Sequence, residues 1–131
     1  MTKLFSIIIP HKYTAGKTTR KIWINAMLSM GWQKRRTVHD MIANSITGLL
    51  SALPPIAVTN DATYRISFGF WSGKSTGNVD IDGMCYLGKV AIDCLAKKLA
   101  INDSIHRIKE VRYVYLGKQE DESVVMQVES V

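Results

Sequence analysis

The chain has few cysteines and no long apolar run. Of its 131 residues only two are cysteine, Cys85 and Cys94, so no disulfide framework can form, and neither has partners at zinc-finger spacing. No stretch approaches the ~20 apolar residues of a membrane-spanning helix. The apolar run at residues 4–9 is cut by Pro10 and lacks a small-residue cleavage site, which predicts a strand and not a signal peptide. These absences predict a reduced, cytoplasmic protein without membrane contact.

Acidic residues are missing from the first 39 positions, which carry eight bases. Residues 119–131 show the reverse, with four acids and no base. The N-terminal excess predicts a polyanionic partner, whereas a merely solvated basic face explains the charge equally well. The bases that we expect to contact such a partner are Lys12, Lys17, Arg20, Lys21, Lys34, Arg35 and Arg36.

The apolar fraction of 47% and the lack of repeats or linkers predict a single domain over residues 1–131. Periodicity predicts helices at 33–53, before Pro54 and Pro55, and at 83–99. Alternation and β-branched runs predict strands at 4–9, 62–71, 111–116 and 123–128, and a short one at 21–25, with a loop at 72–79 and a polar turn at 117–122. This order predicts an α/β (α+β) fold, a mixed β-sheet packed with two main helices.

Four aspartates fall within 24 residues of this otherwise basic chain: Asp80, Asp82, Asp93 and Asp103. Asp80 and Asp82 stand two apart where a loop meets a helix, so an extended backbone puts both carboxylates on one side. Asp93 follows Asp82 by 11 residues, on a similar side of the helix but some 16 Å along it. Asp103 lies in the loop after the helix, from which a chain reversal can return it towards the pair.

Three carboxylates without a nearby His or Cys suit a hard cation such as Mg²⁺, with Mn²⁺ as a substitute, and not zinc. A cation of this kind beside Lys89 and a basic surface is suited to phosphodiester hydrolysis. A plainer alternative is that Asp82 caps the helix and that the other aspartates are surface acids.

The ordered set Val79-Asp80-Ile81-Asp82-Gly83, Lys89, Asp93-Cys94-Leu95 and Ile101-Asn102-Asp103-Ser104 resembles the signature of RusA-type Holliday junction resolvases, carried mostly by phages and prophages. The motif-bearing part covers roughly residues 78–115. A weaker likeness extends through the strand ending at Pro10 and the basic stretch at 25–36.

The resemblance implies a RusA-like fold and a homodimeric, Mg²⁺-dependent endonuclease that nicks four-way DNA junctions symmetrically. It assigns Asp80, Asp82 and Asp103 as catalytic, metal-binding acids, Lys89 as the catalytic lysine, and Asp93 as the helix aspartate that supports them. The chain departs from the family pattern at Gly83, usually Asn, at Asn102, usually Asp, and in its longer spacing from Asp82 to Lys89.

A second hypothesis is a DNA-binding or dimerisation protein on the same fold whose activity these departures have weakened or removed. A purely structural protein explains the charge poorly. The segment Ala15-Gly16-Lys17-Thr18 ends like a P-loop, but His11 stands where the first Gly is required, so no nucleotide cofactor is expected. Trp32, beside three bases, is expected to pack in a core or interface, with stacking on an unpaired base as the alternative.

Overall fold

The computed structural model describes residues 2–131, apart from the side chain of Ala15. The elements in chain order are β1 (Thr2–Ile9), β2 (Lys12–Ala15), β3 (Thr18–Lys21), α1 (Ile24–Leu28), α2 (Trp32–Ser51), β4 (Tyr64–Ser72), a 3-10 helix (Ile81–Met84), α3 (Cys85–Leu99), β5 (Ile108–Lys118) and β6 (Ser123–Ser130). A mixed sheet with two long helices confirms the predicted α/β class.

The main sheet has four strands in the order β1-β6-β4-β5. Strand β5 runs parallel to β4, after the crossover through α3, while β6 pairs antiparallel with both β1 and β4. The last two strands are therefore not a hairpin, although a short polar turn joins them, because β4 lies between them. Both edges of the sheet are formed by strands from distant parts of the chain, β1 and β5.

Helices α2 and α3 cover one face of this sheet. The buried residues of α2 recur at spacings of four, at Val38, Ile42, Ile46 and Leu50, which matches the predicted periodicity. On the facing strand β4, Tyr64, Ile66, Phe68 and Phe70 are buried, as their alternation predicted. Helix α3 ends at Leu99, and the next residue, Ala100, closes the last turn in the left-handed conformation, with φ 53°.

The predicted strand at 21–25 is wrong. Strand β3 ends at Lys21, and the five-residue helix α1 begins at Ile24. Residues 12–21 instead form a separate hairpin, β2–β3, whose two-residue loop has Gly16 at φ 63°, the conformation that a primed turn favours. The P-loop-like segment is therefore a hairpin turn and not a strand-to-helix junction.

No helix within residues 2–131 is long and apolar enough to cross a membrane.

Candidate functional site

Asp80 and Asp82 lie on one wall of a groove of about 580 Å³. Residues of the β2–β3 hairpin and α1 line the same groove, among them Arg20 and Lys21. Both aspartates are exposed. We call this cleft the aspartate groove; its lining residues are Thr19, Arg20, Lys21, Trp23, Ile24, Asn25, Ala26, Asn78, Val79, Asp80, Asp82 and Gly83.

The backbone of Asp80 is fixed by two hydrogen bonds to its carbonyl. The indole Nε1 of Trp23 donates one over 2.8 Å, and the amide of Gly83 donates the other over 3.1 Å. Asp80 itself is extended, with φ −79° and ψ 119°, directly before the 3-10 helix that contains Asp82. The backbone carbonyl of Asp80 is thereby hydrogen-bonded within the protein, while its carboxylate stays exposed in the groove.

The alternative in which Asp82 caps the helix is wrong. Asp82 lies inside the 3-10 helix, and the residue that precedes α3 is Met84. Asp80 holds the N-cap position of the 3-10 helix, yet its side chain makes no capping hydrogen bond among the described residues. Helix capping therefore does not account for either carboxylate.

Gly83, which stands where the resemblance leads one to expect asparagine, lies against the buried indole of Trp23. A Cβ at Gly83 would stand 2.3 Å from Cδ1 of Trp23, closer than atoms can approach. The asparagine usual in the family cannot fit here unless the indole moves. Because the same indole holds the carbonyl of Asp80, Gly83 and Trp23 together position the first aspartate.

Asp103 lies beside α3, where it shares Lys89 with Asp93. The Nζ of Lys89 stands 3.0 Å from Oδ1 of Asp93 and 3.1 Å from Oδ2 of Asp103. Hydrogen bonds to Asp93 and then Asp103 raise the pKa of Lys89, and the hydrogen bond from Lys89 lowers the pKa of Asp103. Lys89 is thus a firmly protonated, exposed cation.

The structure does not gather the predicted set of three carboxylates. Within residues 2–131, no three His, Cys, Asp or Glu side chains are arranged to hold one metal ion. Asp82 and Lys89 are seven residues apart, which places them about two turns and roughly 10 Å apart on one side of the helical segment. The aspartate pair is therefore followed, along one helical face, by Lys89 with its partners Asp93 and Asp103. The 3-10 helix takes up part of the spacing from Asp82 to Lys89, which is longer than in the family pattern.

A second groove, of about 380 Å³, continues the basic surface towards the N-terminus of α2. It shares Arg20 and Ala26 with the aspartate groove and includes Lys34, whose Nζ lies 6.0 Å from the centre of the Tyr13 ring. Arg35 is half-buried, and its charge partly opposes the burial that raises the pKa of Tyr86 in α3. Arg36 and Lys17 are exposed.

Two of the predicted DNA-binding bases, Lys12 and Lys21, pair with Glu122. Their Nζ atoms stand 3.3 Å and 3.4 Å from its carboxylate, which also bonds His11 and Thr76. Burial alone would raise the pKa of Glu122, but these hydrogen bonds and lysine charges lower it to about 2. Lys12 and Lys21 thus anchor the hairpin to the turn before β6, and Lys21 still lines the aspartate groove.

Sequence reasoning missed Glu122, because a single acid in a polar turn carries no signal of partners that lie 46 to 111 positions away. A core position for Trp32 is wrong, because this residue is 64% exposed. An interface position and stacking on an unpaired base stay predictions. Trp23 is buried, as expected of a packing residue.

No protein-family model matches the chain, and no curated protein matches it.

Proposed function

We propose that this chain is a metal-dependent endonuclease that cuts four-way or related branched DNA, in recombination or repair. The observation that carries the proposal is the aspartate groove, which two exposed carboxylates line together with the basic residues Arg20 and Lys21. A site that only binds phosphate gains nothing from carboxylates that repel it. Carboxylates beside a basic surface are useful where a cation lies between them and a phosphate.

Asp80 and Asp82 are the residues that would hold the cation. Their donor set fits Mg²⁺, which is commonly held by one or two carboxylates together with water and substrate phosphate. When bound, such an ion polarises a phosphoryl oxygen and lowers the pKa of an attacking water. Trp23 holds the backbone of Asp80 in place through its 2.8 Å hydrogen bond, so the backbone at the first of the two aspartates is fixed before substrate arrives.

Lys89 would supply a positive charge to the same DNA strand further along the helical face. Asp93 and Asp103 keep it protonated and restrict its position. In this arrangement Asp103 acts through Lys89, and its assignment as a third metal ligand depends on leaving that ion pair when substrate binds. Arg20, Lys34, Arg35 and Lys17 would bind the phosphates of the DNA on the continuous basic surface.

A symmetric cut of a two-fold DNA junction requires two active sites, so the proposal includes a homodimer. The competing hypothesis is a DNA-binding protein without activity. The departure at Gly83 does not favour it, because Trp23 fills the space that Asn would take.

Incubation of labelled four-way junction, flap and linear duplex DNA with Mg²⁺ or with EDTA tests the proposal. We expect nicking of branched DNA only with Mg²⁺. Asp82→Asn should abolish nicking while DNA binding persists or tightens, because it removes a metal ligand and a repulsive charge. Asp61→Asn, an exposed acid in the loop before β4, is the matched control and should cut as the unaltered protein does.

Binding of branched DNA without any nicking in Mg²⁺ or Mn²⁺ would contradict the enzyme and favour the binding protein. Asp103→Asn separates the two roles of that residue. A metal ligand would lose nicking altogether, whereas a partner of Lys89 should leave slower nicking, because Lys89 keeps its other partner, Asp93.

A further inference from the structure

Strands β4 and β5 are parallel and are connected through α3, so their carboxyl ends lie at the same end of the sheet. In α/β sheets, ligands bind in the crevice outside the carboxyl ends of such strands. Asp80 and Asp82 lie in the connection that leads from this end of β4 to α3. A second cleft, of about 250 Å³, lies at the same end of the sheet and plays no part in the cleavage proposed above.

This second cleft, called here the tyrosine cleft, is lined by Phe70 of β4 and Tyr115 of β5, which are cross-strand neighbours. Val79, the residue before Asp80, lines it as well. Asn78 and Val79 line both the tyrosine cleft and the aspartate groove. The two cavities therefore adjoin, and one ligand can occupy both.

Tyr115 is the exposed aromatic residue of the tyrosine cleft. It is 53% exposed, although its hydroxyl is hydrogen-bonded over 2.8 Å to the hydroxyl of Ser72. Because Ser72 is buried, the outer end of the ring is anchored to the protein while much of the residue stays accessible. A side chain held in this way loses little further freedom when a flat ligand stacks on it. Tyr115 is therefore a preorganised stacking surface.

The size and polarity of the tyrosine cleft match a single flat ring system. Its volume of about 250 Å³ is below the roughly 300 Å³ at which pockets for drug-sized ligands begin. Among the side chains that line it in the described chain, Lys118 carries a positive charge and none is acidic. Asn78 adds an exposed amide, which can both donate and accept hydrogen bonds. An aromatic surface, a cation and an amide together suit a nucleotide.

We propose that the tyrosine cleft takes up one unpaired nucleobase of the DNA strand that lies in the aspartate groove. This inference rests on the proposed function and names a further part of its substrate. The base stacks on Tyr115, as unpaired bases stack on aromatic side chains in proteins that bind single strands. Asn78 contacts the edge of the base, and Lys118 contacts an adjoining phosphate.

A base-binding cleft supplies a physical reason for selecting branched DNA over linear duplex. Taking a base out of a paired stack costs free energy, and this cost is least where the base is already unpaired. Flaps and frayed branch points offer such bases, whereas an intact duplex does not. Occupation of the tyrosine cleft therefore favours those substrates and places the neighbouring phosphate near Asp80 and Asp82.

The test compares flap DNAs in which each unpaired nucleotide in turn carries either thymine or an abasic sugar. Dissociation constants are measured by fluorescence anisotropy in EDTA, so that no cleavage is needed. At one position we expect the unaltered chain to bind the DNA with the base roughly five- to a hundredfold more tightly, the range that stacking of one base on an aromatic ring supplies. Tyr115→Ala should bind both DNAs equally, at the weaker affinity.

Three further variants separate stacking from other effects, and circular dichroism melts establish that each variant folds. Tyr115→Phe keeps the ring and should keep the preference for the base. Lys118→Ala should weaken binding of both DNAs alike and lower the log–log salt slope by ~0.9. Ile105→Ala is the matched control: Ile105 is 78% exposed in the loop before β5, at the opposite end of that strand from Tyr115, and its variant should bind as the unaltered chain does.

Equal binding of base-containing and abasic DNA by the unaltered chain at every position would overturn the role of the tyrosine cleft and leave the proposed nuclease standing. A preference that Trp32→Ala removes and Tyr115→Ala keeps would assign the stacked base to Trp32 instead. Free thymidine 5′-monophosphate that binds as tightly as the flap would assign the cleft to a free nucleotide. Failure to bind branched DNA at all would refute the proposed function, and this inference with it.

Discussion

Glu122 is the residue whose replacement should affect stability most clearly. Its side chain is only 7% exposed and is held by His11, Lys12, Lys21 and Thr76. The pKa of Glu122 is about 2 in the folded chain, against an ordinary value of 4.5. At ~1.36 kcal/mol per pKa unit, this difference corresponds to about 3 kcal/mol of stability.

The sign follows from proton linkage. Because the folded state lowers the pKa of Glu122, the stabilisation is fully present above pH 4.5 and is lost as the pH falls towards 2. Burial also lowers the pKa of His11, against the opposing effect of Glu122. The folded state therefore resists protonation of this histidine, and stability begins to decline as the pH falls below 6.5.

We expect Glu122→Gln to lose about 2 to 3 kcal/mol at pH 7, equivalent to a fall in Tm of roughly 10 °C. Urea unfolding from pH 3 to pH 8 measures both the loss and its pH dependence, and the variant should lack most of the decline between pH 5 and pH 3. Glu120→Gln is the matched control, because Glu120 lies in the same turn but is 75% exposed and pairs only with Lys74. It should behave nearly as the unaltered protein does. Equal stability and equal pH dependence of the two variants would refute the anchoring role assigned to Glu122.

Two further predictions concern the groove and the basic surface. Gly83→Ala should lower the free energy of unfolding by roughly 1 to 3 kcal/mol, because its Cβ would overlap a buried indole. Gly77→Ala is the control and should not lower it, since a Cβ there meets nothing within 4 Å. Equal melting of the two variants would contradict the close packing. The triple variant Lys34→Ala, Arg35→Ala and Arg36→Ala should bind junction DNA more weakly, with a log–log salt slope reduced by up to ~0.9 per lost phosphate contact. Alanines at the two lysines in the last turn of α3 are the control, with two charges removed against three, and an equal change of slope per removed charge there would move the DNA surface elsewhere.

The sequence determined those elements whose signal is local. The buried positions of α2 recur at helical spacing, and the inward residues of β4 alternate, so both elements could be predicted to within a few residues. The spacing of Asp80 and Asp82 likewise placed both carboxylates at the entrance to a helix. Periodicity suffices to predict these elements because each of them buries one face, whichever part of the fold covers it.

Tertiary structure alone decided which of these elements meet. Helix α1 has only five residues and too little length for a periodic signal, and the hairpin β2–β3 presents mostly exposed side chains. The insertion of β6 between β1 and β4 is specified by no local pattern. Asp103 meets Lys89, and Glu122 meets His11, across 14 and 111 positions of chain. Ion pairs of this kind form only where the fold brings distant segments of the chain together. Packing of the whole core determines which segments meet.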